Sequence, residues 1–279
     1  RDIQKYYKNI NDFKGAKTLN EKLRKTCYNY KPDMIMLGHA DLISAEQIAE
    51  LRNDYPNVKF GQWFLDPLNK KGPDYERNKN RILDKIEHLD ASFVTTSPSV
   101  LNFLPKNNNN FYIPNPSDDS FETLNNFLKP CNVDVFFALS HGVHRGVLKS
   151  GKIDDRITFL KNLSEKTPDV KFDIYGIDKI QPIWADHYFK TIANAKMGLN
   201  LSRGDAIKYY SSDRITQIVG NGLVCLIDEK TQYRDFFDNS EMVFYKNISD
   251  LSEKILKISR DEKLRKSIGR KGKINFGRR

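Results

Sequence analysis

The chain has 279 residues and carries 46 Lys and Arg against 36 Asp and Glu, which gives a formal net charge of +10. With 39% hydrophobic and 11% aromatic residues, it can fill one large core or two ordinary ones, unlike a disordered chain. Its longest apolar runs, such as residues 223–227, are far shorter than the roughly 20 residues that a membrane-spanning helix needs. These properties predict a folded, soluble protein of one or two domains.

The three cysteines indicate a reducing compartment. Cys27, Cys131 and Cys225 are odd in number and far apart, which fits structural thiols better than a disulfide framework or a zinc site. The opening residues 1–10 show no apolar segment of the kind that forms a secretory signal peptide. We therefore expect a cytoplasmic protein.

In the first half, short β-branched or aromatic runs alternate with amphipathic stretches, the pattern of βαβ units and a mostly parallel sheet. This pattern predicts strands over residues 34–37, 58–64, 92–95 and 111–113, and helices over 44–54 and 74–89. Ser44 is placed to cap the first of these helices. Because the half opens with a polar segment where a first strand is expected, we infer that the start of this domain is missing from the sequence.

A Pro- and Asn-rich passage over residues 107–120, followed by a short predicted helix at 121–128, interrupts the alternation. The alternation then resumes with strands at 133–139, 171–175, 197–201, 223–227 and 242–245, and with helices at 154–165, 185–194, 213–219 and from residues 248 and 261. The prediction is therefore an N-terminal domain (1–116), a connection (117–132) and a C-terminal domain (133–279), each domain doubly wound.

Ligands of open α/β sheets bind beyond the carboxyl ends of the strands, so residues that directly follow strands are candidate site residues. In the second half, these positions hold histidines, arginines, hydroxyls and glycines. They are His141, Gly142, His144, Arg145, Lys149 and Lys152 after the first strand, Gly176 after the second, and Ser202, Arg203 and Gly204 after the third. The predicted site thus combines cationic and hydrogen-bonding groups along one edge of the sheet.

An anion site is predicted where the helix at 213–219 begins. Ser211 and Ser212 precede this helix, whose free N–H groups favour phosphate, and Arg145, Arg203 or Arg214 can supply bidentate hydrogen bonds. A diphosphate suits this arrangement. The alternative is structural: Ser212 or Asp213 caps the helix and Arg214 forms a surface ion pair. Asp213 itself would repel a phosphate, although its carboxylate can orient an arginine or accept from a sugar hydroxyl.

Several other kinds of site are disfavoured because their motifs are absent. The sequence has no G-x-x-x-x-G-K-[ST] segment, no G-x-G-x-x-G between a strand and a helix, no H-E-x-x-H and no G-x-S-x-G. His141 and His144 have no third ligand at a diagnostic spacing. We therefore expect neither a P-loop NTPase nor a simple NAD enzyme, and no metal site.

The first half offers two candidate catalytic residues. His39 follows the strand predicted at 34–37, and Asp66 follows the strand predicted at 58–64, so both lie at the ligand-binding edge of the sheet. Either side chain can act as a general base or bind a sugar hydroxyl. The structural alternatives are that Asp66 and Pro67 form a turn and that His39 caps the following segment.

Residues 211–272 resemble the C-terminal domain of GT-B glycosyltransferases, in particular group 1 transferases related to spore-maturation-type proteins. The shared features are an arginine that opens a helix, Asn221 and Gly222 before a strand, an aspartate after that strand, an aromatic pair before an acidic turn and a closing basic helix. Residues 188–204 are similar to the helix and strand that precede the donor loop in that family. The first half resembles the family only loosely.

The resemblance implies two facing Rossmann-like domains, with a nucleotide-sugar donor held mainly by the C-terminal domain and the acceptor by the N-terminal one. It also implies donor-binding roles. These fall to His141, Gly142 and Arg145 at the diphosphate, Tyr175 and Gly176 near the base, residues 209–214 at the sugar and phosphates, and Gln217 at the ribose. Relatives place glutamates in an E-x7-E pattern where this chain has Tyr209 and Gln217, and glutamine keeps the hydrogen bonding of glutamate without its charge.

Positive charge is concentrated in residues 254–279, which contain 11 Lys and Arg and only two acids, Asp261 and Glu262. Such a segment can contact anionic lipid head groups at the inner membrane surface, which would suit a lipid-linked acceptor. It can also be a solvated helix face. Binding of nucleic acid is disfavoured, because Phe276 is the only aromatic residue in the segment.

Together these observations predict a cytoplasmic glycosyltransferase of the hexosyltransferase type that uses neither a metal nor a bound cofactor. It would transfer a sugar from a nucleotide diphosphate sugar to a glycan or lipid-linked acceptor, as in the biosynthesis of cell-surface polysaccharides. Arg145 and Arg203 would stabilise the departing diphosphate. The alternatives are a non-catalytic nucleotide- or sugar-binding relative and, third, a basic nucleic-acid-binding module.

Overall fold

The computed structural model describes residues 15–72, 74–139 and 154–278. By its internal contacts the chain divides into two compact units, unit 1 (Arg1–Ile113) and unit 2 (Pro114–Arg279). Residues 117–132, the predicted connection, thus belong to unit 2. No described helix combines the length and hydropathy that crossing a bilayer requires.

Unit 1 contains a four-stranded sheet in which every neighbouring pair of strands is parallel, in the order β1-β2-β3-β4. The strands are β1 (Met34–Leu37), β2 (Lys59–Phe64), β3 (Ala91–Val94) and β4 (Asn110–Tyr112). All four lie within one residue of their predicted positions at each end. The predicted parallel α/β architecture is confirmed for this unit.

The helices of unit 1 are α1 (Ala16–Tyr30), α2 (Ala45–Asp54) and α3 (Tyr75–Leu83). The predicted cap of α2 is confirmed, because Ser44 Oγ accepts a hydrogen bond from the backbone N–H of Gln47 at 3.3 Å. The helix predicted over 74–89 was too long, since α3 ends at Leu83 and a separate 3₁₀ turn covers Ile86–His88.

Residues 16–30 of the polar opening segment form helix α1, which the sequence did not predict. Only Cys27 of its 15 residues is buried, so the segment lacks the apolar periodicity that reveals a helix. Cys27 joins Leu37, Ile48, Leu51 and Phe60 in the core beneath the sheet.

Unit 2 contains a five-stranded parallel sheet in the order β6-β5-β7-β8-β9. The strands are β5 (Val133–Ala138), β6 (Phe172–Tyr175), β7 (Ala195–Asn200), β8 (Val224–Asp228) and β9 (Val243–Tyr245). The helices are α4 (Asp155–Lys166), α5 (Ala185–Ile192), α6 (Arg214–Gly220), α7 (Ile248–Arg260) and α8 (Glu262–Phe276). Each predicted strand and helix from residue 133 onward is present, with ends shifted by at most two residues.

Helices cover both faces of this sheet, as the doubly wound prediction requires. Val135 and Phe137 of β5 point into a core that contains Leu163 of α4 and Ile255 of α7. The alternate residues of β5, including Phe136, point into a second core with residues of α5 and α6. Burial on both faces explains why the strands of unit 2 read as continuous apolar runs.

The short helix predicted at 121–128 is wrong, because only a 3₁₀ turn, Asn126–Leu128, is helical there. The backbone of this segment bonds to the end of α6 instead of to itself. The N–H of Leu124 donates to Asn221 Oδ1 at 3.0 Å, and the N–H of Asn126 donates to the Asn221 carbonyl at 3.1 Å.

The same segment is fastened to α8 by two cations. Arg265, which is 1% exposed, donates from Nη1 to the Asn126 carbonyl and from Nη2 to the Lys129 carbonyl, each at 2.9 Å. About two turns further on, Lys273 Nζ donates to the carbonyls of Glu122 and Leu124 at 2.9 and 3.0 Å. We call this set of bonds between residues 122–129 and α8 the α8 clasp.

Candidate functional site

The strand order of unit 2 creates a crevice at one edge of the sheet. From β5 the chain passes to β6 on one side, and from β6 it returns across β5 to β7 on the other side. The carboxyl ends of β5 and β7 therefore lie at the topological switch point, where ligands of such sheets bind. Leu139 and Leu201 are the residues that follow these two strand ends.

Gly176 occupies a position at this edge that excludes a side chain. Its φ is +78°, and a Cβ atom would lie 1.8 Å from the Leu139 carbonyl oxygen. The backbone N–H of Leu139 also donates to the Tyr175 carbonyl at 3.0 Å. Tyr175 and Gly176 are thus placed beside the start of the segment that follows β5. Their contact with a nucleotide base stays a prediction.

Arg214 opens α6 and lies across the switch point. Its Nη2 donates to the Leu201 carbonyl at 2.8 Å, and its guanidinium carbon is 5.3 Å from the centre of the Phe137 ring. Nε is buried without a hydrogen-bond partner, and no carboxylate of the described residues lies within ion-pair distance of this arginine. Arg214 therefore does not form the surface ion pair of the structural alternative.

Burial lowers the pKa of the Arg214 guanidinium to about 10, with a further lowering by the positive charge of Arg156. Arg214 therefore remains a cation at neutral pH, but one that has lost hydration without an ion-pair partner among the described residues. An anionic ligand at this point would supply such a partner.

Arg156 and Asp154 form a buried pair at the start of α4. Asp154 is fully buried and accepts from Arg156 Nε at 2.9 Å and Nη2 at 2.7 Å. Arg203 Nε lies 3.8 Å from Asp154 Oδ2. Burial, then the negative charge of Asp154, raise the pKa of the neighbouring Asp155 carboxyl. This edge of unit 2 thus places two guanidinium groups, those of Arg156 and Arg203, beside one fully buried carboxylate.

Sequence reasoning missed Arg156 and Asp154. Both lie at the start of a predicted helix, where an Asp is an ordinary cap, and Asp154 does accept from the Arg156 backbone N–H at 3.1 Å. The sequence signal that could have found them is an arginine two residues after a helix-capping aspartate, in a helix that directly follows a strand and its loop.

The serine hydroxyls near α6 are used within their own loop. Ser211 is 1% exposed, and its Oγ accepts from Asn200 Nδ2 at 2.7 Å and donates to the Ser212 carbonyl at 2.9 Å. Ser212 Oγ donates to Asn200 Oδ1 at 3.3 Å. Asp213 stands at the N-cap position of α6, but its side chain makes no capping bond. The serines therefore fix the loop between β7 and α6, which positions Arg214.

The two positions of the E-x7-E pattern hold side chains that are already hydrogen bonded. Tyr188 OH donates to Gln217 Oε1 at 2.5 Å, and burial raises the pKa of the Tyr188 phenol. Tyr209, with φ of +61°, donates from its OH to Asp235 Oδ2 at 2.6 Å. The amide oxygen of Gln217 is therefore occupied, and its Nε2 is the group left for a ligand.

Ser202 and Gly204, which flank Arg203, line a cavity of about 40 Å³ at the carboxyl ends of β7, β8 and β9. Asp228 at the end of β8 also lines it, and burial raises the pKa of its carboxyl. The remaining predicted residues of this edge lie outside the described part of the chain. They are His141, Gly142, His144, Arg145, Lys149 and Lys152.

Unit 1 brings its two candidate residues together in a separate cleft. His39 follows β1 and Asp66 follows β2, and His39 Nε2 lies 3.6 Å from Asp66 Oδ2. Arg81 of α3 places Nη1 3.7 Å from the same oxygen and pairs through Nη2 with Asp41. The His39 ring also packs on Phe64, with ring centres 5.3 Å apart. Gly38, Trp63 and Lys85 complete the lining.

Among the described residues, no three His, Cys, Asp or Glu side chains form a group that could hold a metal ion. The three cysteines are buried and unpaired.

Comparisons with known proteins support the predicted family. A family model described as glycosyl transferase-like matches residues 156–278. No curated protein matches the chain. Among solved structures, sucrose-phosphate synthase from Thermosynechococcus elongatus has a TM-score of 0.58 at 11% identity, covering 95% of this chain and 74% of that one. Anabaena Alr3699/HepE in complex with UDP and glucose has a TM-score of 0.58 at 10% identity, covering 94% and 77%.

At these identities the structural similarity concerns the fold, and the chain spans about three quarters of each of these two structures. The closer relationship to spore-maturation-type proteins stays a prediction. Residues 156–278 match the glycosyl transferase-like family model, and the chain has the α/β fold of GT-B glycosyltransferases.

Proposed function

We propose that the chain transfers a sugar from a nucleotide diphosphate sugar, which unit 2 binds at the switch point between β5 and β7. The observation that carries this proposal is Arg214, a half-buried cation at the crevice whose Nε is buried without a hydrogen-bond partner and which has no carboxylate partner among the described residues. Arg156 and Arg203 lie beside the buried carboxylate of Asp154, so the crevice gathers several guanidinium groups. A diphosphate matches such a cationic site.

The chemistry of glycosyl transfer explains why such a site is useful. When the bond between the sugar and the diphosphate breaks, the leaving oxygen gains negative charge. Fixed guanidinium groups at a partly water-excluded site stabilise that charge without reorganising. Arg214 is fixed by Leu201 and Phe137, and Arg156 is fixed by Asp154, so both are held before a ligand arrives. Alr3699/HepE, a protein of similar fold, has been solved in complex with UDP and glucose.

The acceptor in this proposal is a glycan or lipid-linked sugar, the donor sugar is a hexose, and no metal takes part. Exposed basic side chains of α8 would contact an anionic membrane surface on the cytoplasmic side. They include Lys263, Arg270 and Lys271, with the exposed Ile274 among them, and Arg278 follows just beyond the helix.

The second candidate function is binding of a nucleotide or sugar without catalysis. It is favoured by one observation: Gln217 and Tyr209 stand where relatives carry glutamates, and both are engaged by neighbouring side chains. Cleavage of the donor in the absence of an acceptor distinguishes an enzyme from a binding protein.

The proposed donor site predicts that one nucleoside diphosphate stabilises the protein against thermal unfolding. A ligand present at 100 times its Kd adds roughly 2.7 kcal/mol to the free energy of unfolding. The measurement is thermal unfolding with UDP, GDP, ADP and CMP and with their sugar conjugates. The nucleoside of the active nucleotide, which lacks the diphosphate, is the matched control ligand and should give no shift. If no nucleotide shifts the transition, the donor site is wrong.

Gln217→Glu should tighten binding of that diphosphate about fivefold, if Gln217 contacts the ribose as the family resemblance implies. A carboxylate can accept from Tyr188 OH and from a ribose hydroxyl at once, and a charge-assisted bond is about twice as strong as a neutral one. Isothermal titration calorimetry measures the change. Gln217→Leu is the control: it should weaken binding and lower stability by about 1–2 kcal/mol, because Tyr188 OH loses its partner. Equal affinity in all three proteins would place the ribose elsewhere.

A further inference from the structure

A polar cavity of about 720 Å³ lies at the amino ends of neighbouring strands of unit 1. It is at the opposite end of this sheet from His39 and Asp66, which follow the carboxyl ends of β1 and β2. Its volume is within the range of roughly 300–1,000 Å³ that is typical of small-molecule sites. The lining residues begin β2 or come shortly before β3 and β4, and they are Lys59, Glu87, Leu89, Asp90, Asn107, Asn108 and Asn109.

We propose that this cavity is a carbohydrate-binding site that takes a neutral oligosaccharide. The inference goes beyond the proposed function, because the cavity is formed by unit 1 alone and the proposed donor site by unit 2 alone. Either site can therefore be present without the other. If the acceptor is a glycan, the cavity would bind a part of it that does not react.

Two amide side chains of the lining are held in place by the surrounding backbone. Asn108 Nδ2 donates to the Ile86 carbonyl at 2.8 Å, and Asn109 Nδ2 donates to the Asp90 carbonyl at 3.0 Å. The Asn109 carbonyl accepts from the backbone N–H of Ser92 at 2.8 Å. Neither Oδ1 atom has a hydrogen-bond partner among the described residues. The cavity thus has two acceptors whose side chains are fixed before a ligand arrives, which lowers the entropy cost of binding.

Two charged side chains of the lining are free to bind a ligand. Lys59 and Glu87 are exposed, and neither side chain forms a hydrogen bond or an ion pair with another residue that the structure describes. Asp90, by contrast, is already neutralised. Its carboxylate accepts from Arg52 Nη1 at 2.9 Å and from the Phe60 N–H at 2.7 Å, and the bond from Arg52 lowers the pKa of this carboxyl.

This set of groups matches sugar hydroxyls. A hydroxyl donates and accepts at the same time, so a sugar ring can donate to Glu87 and to the amide oxygens while it accepts from Lys59. A polyanion such as a nucleic acid is a poor match, because Lys59 is accompanied by a carboxylate instead of by further cations. An apolar ligand is also a poor match, since Leu89 alone of the described lining is apolar, and it is buried.

Saturation-transfer difference NMR with neutral tetrasaccharides tests the inference. The probes are cellotetraose, maltotetraose, mannotetraose and xylotetraose, with tetragalacturonate as the charged control and glycerol as the control without a ring. We expect at least one neutral tetrasaccharide to bind with a Kd of about 1 mM or tighter. If none of them binds, or if tetragalacturonate or glycerol binds as tightly as they do, the inference is overturned.

Variants of the lining show whether the sugar occupies this cavity. Lys59→Met and Glu87→Ala should each weaken binding at least about fivefold, the loss expected for one hydrogen bond. Both side chains are exposed, so neither change should unfold unit 1. Asn107→Trp should abolish binding, because its ring would fill the cavity. Unchanged affinity in these three variants would place the sugar elsewhere and overturn the inference.

The matched controls are Lys22→Met and Glu21→Ala on α1, which remove an exposed lysine and an exposed glutamate outside the cavity and should leave the affinity unchanged. The thermal shift with the active nucleotide should be the same in every variant of the lining as in the parent protein. A nucleotide shift without binding of any neutral tetrasaccharide would overturn this inference alone. Tetrasaccharide binding that the lining variants weaken, without a shift by any nucleotide, would overturn the proposed function alone.

Discussion

Arg214→Met should weaken binding of the nucleoside diphosphate by about 30- to 100-fold, which corresponds to roughly 2–3 kcal/mol. Methionine keeps the contact with Phe137 but removes the cation and its free Nε. The stability of the unliganded protein should change by no more than about 1 kcal/mol. The lost hydrogen bond to the Leu201 carbonyl is offset by the removal of a desolvated charge near Arg156.

Calorimetric titration with UDP, or with whichever nucleotide is active, measures this effect. Arg214→Lys should give an intermediate affinity, because an ammonium keeps the charge but lacks the planar fork of the guanidinium. Lys190→Met is the matched control, since Lys190 is an exposed cation of α5 that pairs with Asp186 at 2.6 Å, and its loss should leave affinity unchanged. An unchanged affinity in Arg214→Met would remove the main support for the donor site.

Arg265→Met should lower the free energy of unfolding by about 3 kcal/mol. Methionine fills a similar volume, but it removes the guanidinium donor from the carbonyls of Asn126 and Lys129, of which the first keeps a longer bond from the Lys129 N–H at 3.4 Å. Loss of such a donor costs about 1–3 kcal/mol for a buried group. The pair with Glu262 adds little, because the Glu262 side chain is 46% exposed. Urea denaturation monitored by circular dichroism measures the loss.

Lys266→Met removes an exposed partner of the same Glu262 and should cost less than about 1 kcal/mol. The pH dependence gives a second test. The hydrogen bond from Arg265 lowers the pKa of the Glu262 carboxyl, so this pair stabilises the folded state above the usual glutamate range and ceases to do so as the pH falls. In Arg265→Met, the free energy of unfolding should therefore lack the part of its decrease at low pH that this pair causes. A variant as stable as the parent protein would show that the α8 clasp does not stabilise unit 2.

The strands and the fold class were predictable because burial on both faces gives unbroken apolar runs such as residues 223–227. Helix α1 was not, since its single buried residue leaves almost no periodic signal. The error at 121–128 has a different cause. Helix propensity depends on residues that are close in the sequence. The backbone N–H groups of Leu124 and Asn126 instead donate to Asn221, about a hundred residues away.

The residues of the candidate site likewise include some that the sequence could predict and some that it could not. Arg214 could be named from its position after a strand and at the start of a helix. The pairing of Tyr188 with Gln217 and the burial of Asp154 depend on contacts between elements, which no spacing in the sequence reports. His39 and Asp66 follow β1 and β2, which are adjacent strands, so the strand order indicates that the two residues lie near each other. It does not indicate the distance between their side chains.

The α8 clasp also bears on how the protein forms during translation. It joins residues that are up to 151 positions apart, so the opening segment of unit 2 cannot reach its final contacts until α8 has left the ribosome. Unit 1 ends at residue 113. We therefore expect unit 1 to fold on the nascent chain, while residues 122–129 wait for a partner that is synthesised more than a hundred residues later. A ribosome stalled before α8 would carry a folded unit 1 and an open unit 2.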